Sequence, residues 1–179
     1  MTIRPATDAD VAAVAAIYGH HVLHSTGTFE ETPPSEGEIA ARIAAVNALR
    51  LPYLVAEDDD GRVSGFAYAS AFRPRRAYRY TAEDSVYIRP DCMGRGVGKA
   101  LVAEVIAACA AIGVRQMIAV IGDSANVGSI GLHRSLGFED AGVGRAFGFK
   151  FGRWVDVVWM QKTLGPGSEE PPDGAGLAL

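Results

Sequence analysis

Val11, Val14, Ile17 and Tyr18 recur at helical spacing, and Thr7 precedes Asp10 by three residues, so the pattern predicts a first helix running to about His24. Ile39, Ile43 and Val46 give a second helix its apolar stripe, opened by the Ser35–Glu38 pair and ended before Pro52. Ser25 to Pro34 between them reads as a loop. Strand-length apolar runs lie at Thr2–Arg4, Tyr53–Glu57, Val63–Phe72, Ala82–Arg89, Val114–Ile121, Phe138–Gly144 and Trp154–Leu164. A Gly-rich turn feeds a long helix through Ile112 with Gly113 as its C-cap, and a short helix over Asn126–Leu136 ends at Gly137.

The resulting order is strand, two helices, three strands, helix, strand, helix, two strands. Strands two to four pair as antiparallel neighbours, whereas the fourth, a helix and the fifth make a βαβ unit and are therefore parallel. This predicts an α/β fold with a mixed, mostly antiparallel central sheet and helices on both faces. The 179 residues suit one domain, taken as residues 1–164. From Gly165 onward Gly, Pro, Ser and Glu dominate, and residues 165–179 read as a disordered tail.

Charge narrows the partners. A formal net charge of −4 argues against general binding to nucleic acid or to an anionic membrane surface. No apolar run has the length of a membrane span, and the N-terminus lacks the pattern of a signal peptide. Cys92 and Cys109 stand in no metal-ligand spacing, so a reduced, cytoplasmic protein is the expectation. His20 and His24 have i,i+4 spacing without an evident third ligand, which favours helix packing over a metal site.

Gly94, Gly96 and Gly98 form a turn between a strand and a helix, where backbone amides and the helix N-terminus favour an anion such as a pyrophosphate. A Walker loop would need glycine at position 93 and Ser or Thr at position 100, where the chain has Met93 and Ala100. A dinucleotide fingerprint would need glycine where Lys99 stands. Met93-Gly94-Arg95-Gly96-Val97-Gly98 instead resembles the pyrophosphate-binding motif of the GCN5-related N-acetyltransferase superfamily, with Met93 in place of the usual Gln or Arg. Asn126 and Leu132-His133-Arg134-Ser135-Leu136-Gly137-Phe138 resemble that family's Asn-containing helix, with His133 where most members have Tyr. Further segments, among them Phe29-Glu30-Glu31-Thr32-Pro33, Arg75-Arg76-Ala77-Tyr78, Thr81 to Tyr87, Val120-Ile121-Gly122 and Lys150 to Val157, are similar to the phosphinothricin and methionine sulfoximine acetyltransferases.

The resemblance implies acetyl-CoA as acetyl donor, a small amino-acid-like acceptor, and a homodimer. It implies that strands four and five splay, leaving the backbone N–H groups of Val86, Tyr87 and Ile88 for the pantetheine arm. Gly94, Arg95, Gly96, Val97, Gly98 and Lys99 would hold the pyrophosphate, with Asn126 and Ser129 beside the cofactor. Acetyl transfer needs a deprotonated amine, a polarised thioester carbonyl and a proton for the departing thiolate. Glu83 is the candidate base, acting directly or through a water. Glu83, Ser85 and Tyr87 alternate onto one face, and Asp84 points to the other. His133 is the candidate acid for the thiolate. Arg73, Arg75 and Tyr78 belong to a basic connection that can grip carboxylate or phosphinate oxygens. Phe29, Glu30, Ser85 and Trp154 complete the expected acceptor wall. Cys92 has no neighbouring His in sequence, so direct transfer is favoured over a covalent acyl-enzyme. A peptide N-terminal acetyltransferase and a non-catalytic acyl-CoA-binding module remain the alternatives.

Overall fold

The computed structural model describes residues 1–179. Eleven regular elements follow one another: β1 (Thr2–Pro5), α1 (Val11–His24), α2 (Glu36–Ala48), β2 (Tyr53–Glu57), β3 (Val63–Ala71), β4 (Thr81–Ile88), α3 (Val97–Ala111), β5 (Gln116–Gly122), α4 (Val127–Ser135), β6 (Glu139–Lys150) and β7 (Arg153–Thr163). One seven-stranded sheet in the order β1-β2-β3-β4-β5-β7-β6 runs through the molecule. Every pairing is antiparallel except β4 with β5. The mixed sheet anticipated from the element order is therefore present.

Local chemistry sets the element ends. The Thr7 N–H donates to Asp10 Oδ2 at 2.8 Å, closing the box ahead of α1, and Ser35 Oγ accepts the Glu38 N–H at 3.2 Å ahead of α2. The apolar stripes then meet the sheet: Val14, Ile17, Tyr18 and Val22 of α1 and Ile39, Ile43 and Val46 of α2 are buried on one face. Leu101, Val102, Val105 and Cys109 of α3 are completely buried on the other. Both cysteines are free thiols, and burial pushes Cys109 up to about 12.

Two segments depart from the sequence reading. The sixth strand continues past Gly144 to Lys150, because pairing with β7 breaks between Gly144 and Gly148 and then resumes. Ala146 takes φ +53° in that break, and its N–H is met by Asp156 Oδ1 at 3.0 Å. Side-chain capture of a bulge amide is not visible in a hydrophobic pattern. Residues 165–179, expected to be disordered, contain no helix or strand, yet Leu177 is buried in the main core and its N–H donates to the Arg79 carbonyl at 2.8 Å. The Tyr80 hydroxyl also donates to the Gly174 carbonyl. The apolar end of the segment, Ala175 to Leu179, returns Leu177 to the core, and an average over the Gly, Pro and Glu before it hides this.

Candidate active site

The sheet divides at its centre. Parallel pairing joins Thr81–Asp84 to Gln116–Ala119 and stops there, although β4 continues to Ile88 and β5 to Gly122. The Arg89 N–H donates to the Ser64 carbonyl at 2.9 Å and the Phe72 N–H to the Thr81 carbonyl at 3.4 Å. Antiparallel partners alternate, so odd-numbered residues of β4 aim their N–H at β3. Val86 and Ile88 therefore open onto the splay. Tyr87, expected as a third donor, turns its N–H to Phe66 of β3, because a strand offers only every second amide to one side. His21 of α1 takes up the acceptor left by the missing partner: its Nε2 lies 2.8 Å from the Ile88 carbonyl.

A cleft of about 790 Å³ occupies this splay. It extends from the turn before α3, past Val86 and Ile88, to the Ser25–Gly27 loop and the β5 end at Gly122 and Asp123. At the turn, Gly94 and Gly96 have φ of +73° and +83°, and a Cβ on either would meet no protein atom within 4 Å. A side chain there would enter open space over the N-terminus of α3, which is the geometry of an anion cradle. Gly98 has a different reason: a Cβ would lie 2.8 Å from Leu132, so this glycine lets α3 and α4 approach. Val97 is buried beneath the turn, Lys99 lines the cleft, and Arg95 is exposed. Across the cleft, Asn126 caps α4 by accepting the Ser129 N–H at 3.2 Å.

Glu83 is half-buried, and burial, reinforced by the charge of Asp84 and opposed by Arg73, pushes its carboxyl up to about 7. Ser70, Tyr68 and Phe66 of β3 stand opposite Glu83, Ser85 and Tyr87. These six residues therefore share the α1 face, where Tyr18 meets the Tyr87 ring edge-on at 4.9 Å. Asp84 faces the other way and is buried against His133, whose Nε2 lies 2.9 Å from Asp84 Oδ2.

His133, the candidate acid, is part of the cleft wall and almost fully enclosed. It is 3% exposed, and its Nδ1 lies 2.8 Å from the Ser129 carbonyl and 3.4 Å from Ser129 Oγ. Burial works against the imidazolium, but Asp84 and the Ser129 carbonyl outweigh it, so the pKa is raised. Both N–H groups of that cation are committed.

The remaining expected acceptor residues fall into two groups. Arg73, Arg75 and Tyr78 form an exposed connection beyond β3, with Tyr78 edge-on to Phe72 at 5.6 Å. They do not line the large cleft. Phe29 stands over Gly148 of β6. Glu30 turns to α2 rather than to the cleft: Oε1 accepts from Tyr18 Oη at 2.9 Å and from Arg42 at 2.8 Å, and Oε2 from Arg42 at 3.2 Å. Trp154 is 65% exposed and packs on Phe149 across the β6–β7 hairpin, away from the cleft. His21, Gly122 and Lys150 were given no role from the sequence, since each acts through backbone groups distant in the chain. His20 and His24 sit with ring centroids 4.8 Å apart, and no group of three or more His, Cys, Asp or Glu is placed to hold a metal ion.

Residues 3–159 match the model of the acetyltransferase (GNAT) domain. The chain belongs to the GNAT acetyltransferase family. It is 52% identical over 172 residues to a phosphinothricin N-acetyltransferase of Alcaligenes faecalis, covering 96% of this chain and 87% of that one. It is 41% identical to an L-methionine sulfoximine/L-methionine sulfone acetyltransferase of Pseudomonas paraeruginosa, covering 95% and 98% of the two chains. A phosphinothricin acetyltransferase from Sinorhizobium meliloti, solved with acetyl-CoA, superposes with a TM-score of 0.95 at 49% identity, covering 98% of this chain and 94% of that one. This GNAT member is an acetyl-CoA-dependent N-acetyltransferase. The open cradle at Gly94 and Gly96 and the unpaired Val86 and Ile88 amides fit that donor.

Proposed function

We propose that the chain acetylates the amino group of a small amino-acid-like acid of the phosphinothricin, methionine sulfoximine or methionine sulfone kind. The observation that carries this reading is Glu83, a half-buried carboxyl raised to about 7, placed between the splay and an exposed connection rich in arginine. The names of the relatives in Alcaligenes and Pseudomonas point to the same acceptors.

Acetyl-CoA supplies the activated acetyl thioester. Gly94, Gly96, Val97, Gly98 and Lys99 hold its pyrophosphate on the α3 N-terminus, aided by Arg95. The Val86 and Ile88 N–H groups hold the pantetheine arm and draw charge onto the thioester oxygen. Glu83 accepts a proton from the substrate ammonium, directly or through a water, so that the amine nitrogen can form its new bond to the acetyl carbon as the carbon–sulfur bond breaks. The new amide nitrogen sheds its second proton to water, and the leaving sulfur takes one from the Ser129 hydroxyl, which lines the cleft and is reprotonated from the His133 imidazolium 3.4 Å behind it, so that His133 ends neutral. Arg75 holds the acceptor's carboxylate, with Arg73 and Tyr78 completing the grip.

A panel of amines assayed for CoA release tests the reading. Phosphinothricin, methionine sulfoximine and methionine sulfone are expected to turn over well above cadaverine, because an alkylamine has no carboxylate for the arginines to hold and orient. Arg75→Ala is expected to raise KM for the acids by about tenfold or more while acetyl-CoA affinity stays constant. Equal turnover of acids and alkylamines, or a wild-type KM in the variant, refutes the acid site. Turnover of a peptide N-terminus alone would transfer the reading to that class.

The reading includes a homodimer. The β6–β7 hairpin ends the sheet and exposes Val143, Phe147, Phe149, Phe151 and Trp154, each between 49% and 65% accessible. A contiguous apolar patch on an edge strand favours a second copy of the chain. Sedimentation equilibrium is expected to give twice the chain mass, and Phe149→Lys with Trp154→Glu to give the monomer; a wild-type monomer at micromolar concentration contradicts this. The reading also retains a reducing, cytoplasmic setting, in keeping with two free thiols, and no helix is long and apolar enough to cross a membrane.

A further inference from the structure

The loop between α1 and α2 is held from beneath by a buried ammonium. Lys150, the last residue of β6, is 3% exposed, and its Nζ donates to the Ser25 carbonyl at 2.9 Å and the Thr28 carbonyl at 2.7 Å. Ser25 caps the C-terminus of α1, where the carbonyl ends of the helix favour a cation. The turn that follows Lys150 has φ of +52° at Phe151 and +72° at Gly152, as a two-residue hairpin with primed geometry requires, and it sets Lys150 opposite Arg153. The ammonium is therefore delivered to the loop by a stiff element.

Further contacts hold the same loop against the strands and helices around it. A Cβ on Gly148 would lie 2.3 Å from the Phe29 ring, and one on Gly122 would lie 1.9 Å from the Thr26 carbonyl oxygen. Both strands were left bare where the loop presses on them. Ser25 Oγ donates to the His21 carbonyl at 3.1 Å, and His21 in turn holds the Ile88 carbonyl at the splay. At its far end the loop is pinned through Glu30 to Arg42 and Tyr18. A buried ammonium is costly unless its donors are used, and a methionine of similar length would fill the space without that cost. What distinguishes lysine here are the contacts made by the charge: the two loop carbonyls and the face of the Phe151 ring, whose centroid lies 4.9 Å from Nζ.

We propose that Lys150 is a positioning residue for the acceptor amine: it locks the Ser25–Glu30 loop onto the β6–β7 hairpin and so fixes the wall that faces the open end of the β4–β5 splay. The inference rests on the reading that the acceptor enters beside Glu83. The pyrophosphate cradle lies on α3 and shares no contact with Lys150; the loop meets the cleft through Ser25, Thr26 and Gly27 at its other end, where donor and acceptor meet, so affinity gathered at the cradle is kept when the loop loosens.

Lys150→Met and Lys150→Arg, each assayed as the full chain, test this. Lys150→Met is expected to raise KM for the amine by about tenfold or more, with Kd for acetyl-CoA within about twofold of wild type. Amide hydrogen exchange is expected to quicken at residues 25–30 and not in α3. Lys150→Arg, which keeps the charge, is expected to recover part of the KM. A folded Lys150→Met enzyme with unchanged amine KM and unchanged exchange overturns the proposal, as does a parallel loss of acetyl-CoA binding. If Lys150→Met does not fold, Lys150→Gln, which keeps two N–H donors without the charge, carries the same comparison. The amine used is whichever the wild-type enzyme turns over, so a failure of the acid-substrate reading appears in the wild-type panel and a failure of this proposal in the variants.

Discussion

Glu83→Gln is expected to lower kcat by about 10²–10⁴ near pH 7 while acetyl-CoA still binds. Glutamine keeps the shape of the side chain and removes its capacity to take a proton. A free α-amine is mostly protonated below about pH 8, so the enzyme depends on Glu83 most where the amine is scarce. The loss is expected to shrink as the pH rises. In the wild type, kcat/KM is expected to rise with pH through a limb near 7, the value to which burial brings the carboxyl, because only the deprotonated form accepts a proton. Stopped assays across pH with matched acetyl-CoA affinities check both statements. Full activity of the variant at pH 7 would show that the proton leaves by another route.

Asp84→Ala is expected to have the largest effect on stability, about 3 kcal/mol, equivalent to roughly 10 °C in Tm. Asp84 and His133 are both nearly inaccessible, and removing one partner leaves the other buried without compensation. Asp84 Oδ1 has no hydrogen-bond partner, so the site already lacks slack. The pH dependence has a definite sign. His133 is raised in the folded state, so the pair's contribution is fully present below the ordinary histidine value of about 6.5 and is lost as pH rises through the folded value. The Tm gap between wild type and variant is therefore expected to be widest in mild acid and to narrow toward alkaline pH. A pH-independent gap, or none, would mean that the pair is not an ion pair. Asp84→Asn, which keeps a hydrogen bond to the ring, is expected to fall between the two.

Glu83 and Asp84 are adjacent in sequence, and their opposite facing was legible from the strand period. Strand alternation alone puts Glu83 and Asp84 on opposite faces, and the structure finds Glu83 on the α1 face and Asp84 against His133 of α4. The order of elements and the helix stripes were legible for the same reason: they depend on periods of two and of 3.6 residues, which local pattern carries. What was not legible depends on contacts between segments far apart. That His133 is enclosed and paired with Asp84, 49 residues earlier, has no local signature. The pairing of Glu30 with Arg42, 12 residues on, is likewise absent from local pattern. Tyr87 was counted as a donor because alternation of amides, unlike alternation of side chains, has no signature in residue type. Gly122 and Gly148 carry no signal of their own until the loop above them is known.

The burial of both thiols bears on how turnover is measured. Cys109 is fully enclosed with its thiol pushed up to about 12, and Cys92 is 5% exposed, beside the cleft that the donor occupies. A disulfide-exchange dye added to a reaction with excess acetyl-CoA therefore finds one accessible sulfhydryl species, the released CoA. The folded catalyst contributes a flat baseline, and colour beyond the CoA formed counts molecules that have come apart, so a single absorbance trace reports turnover and inactivation together.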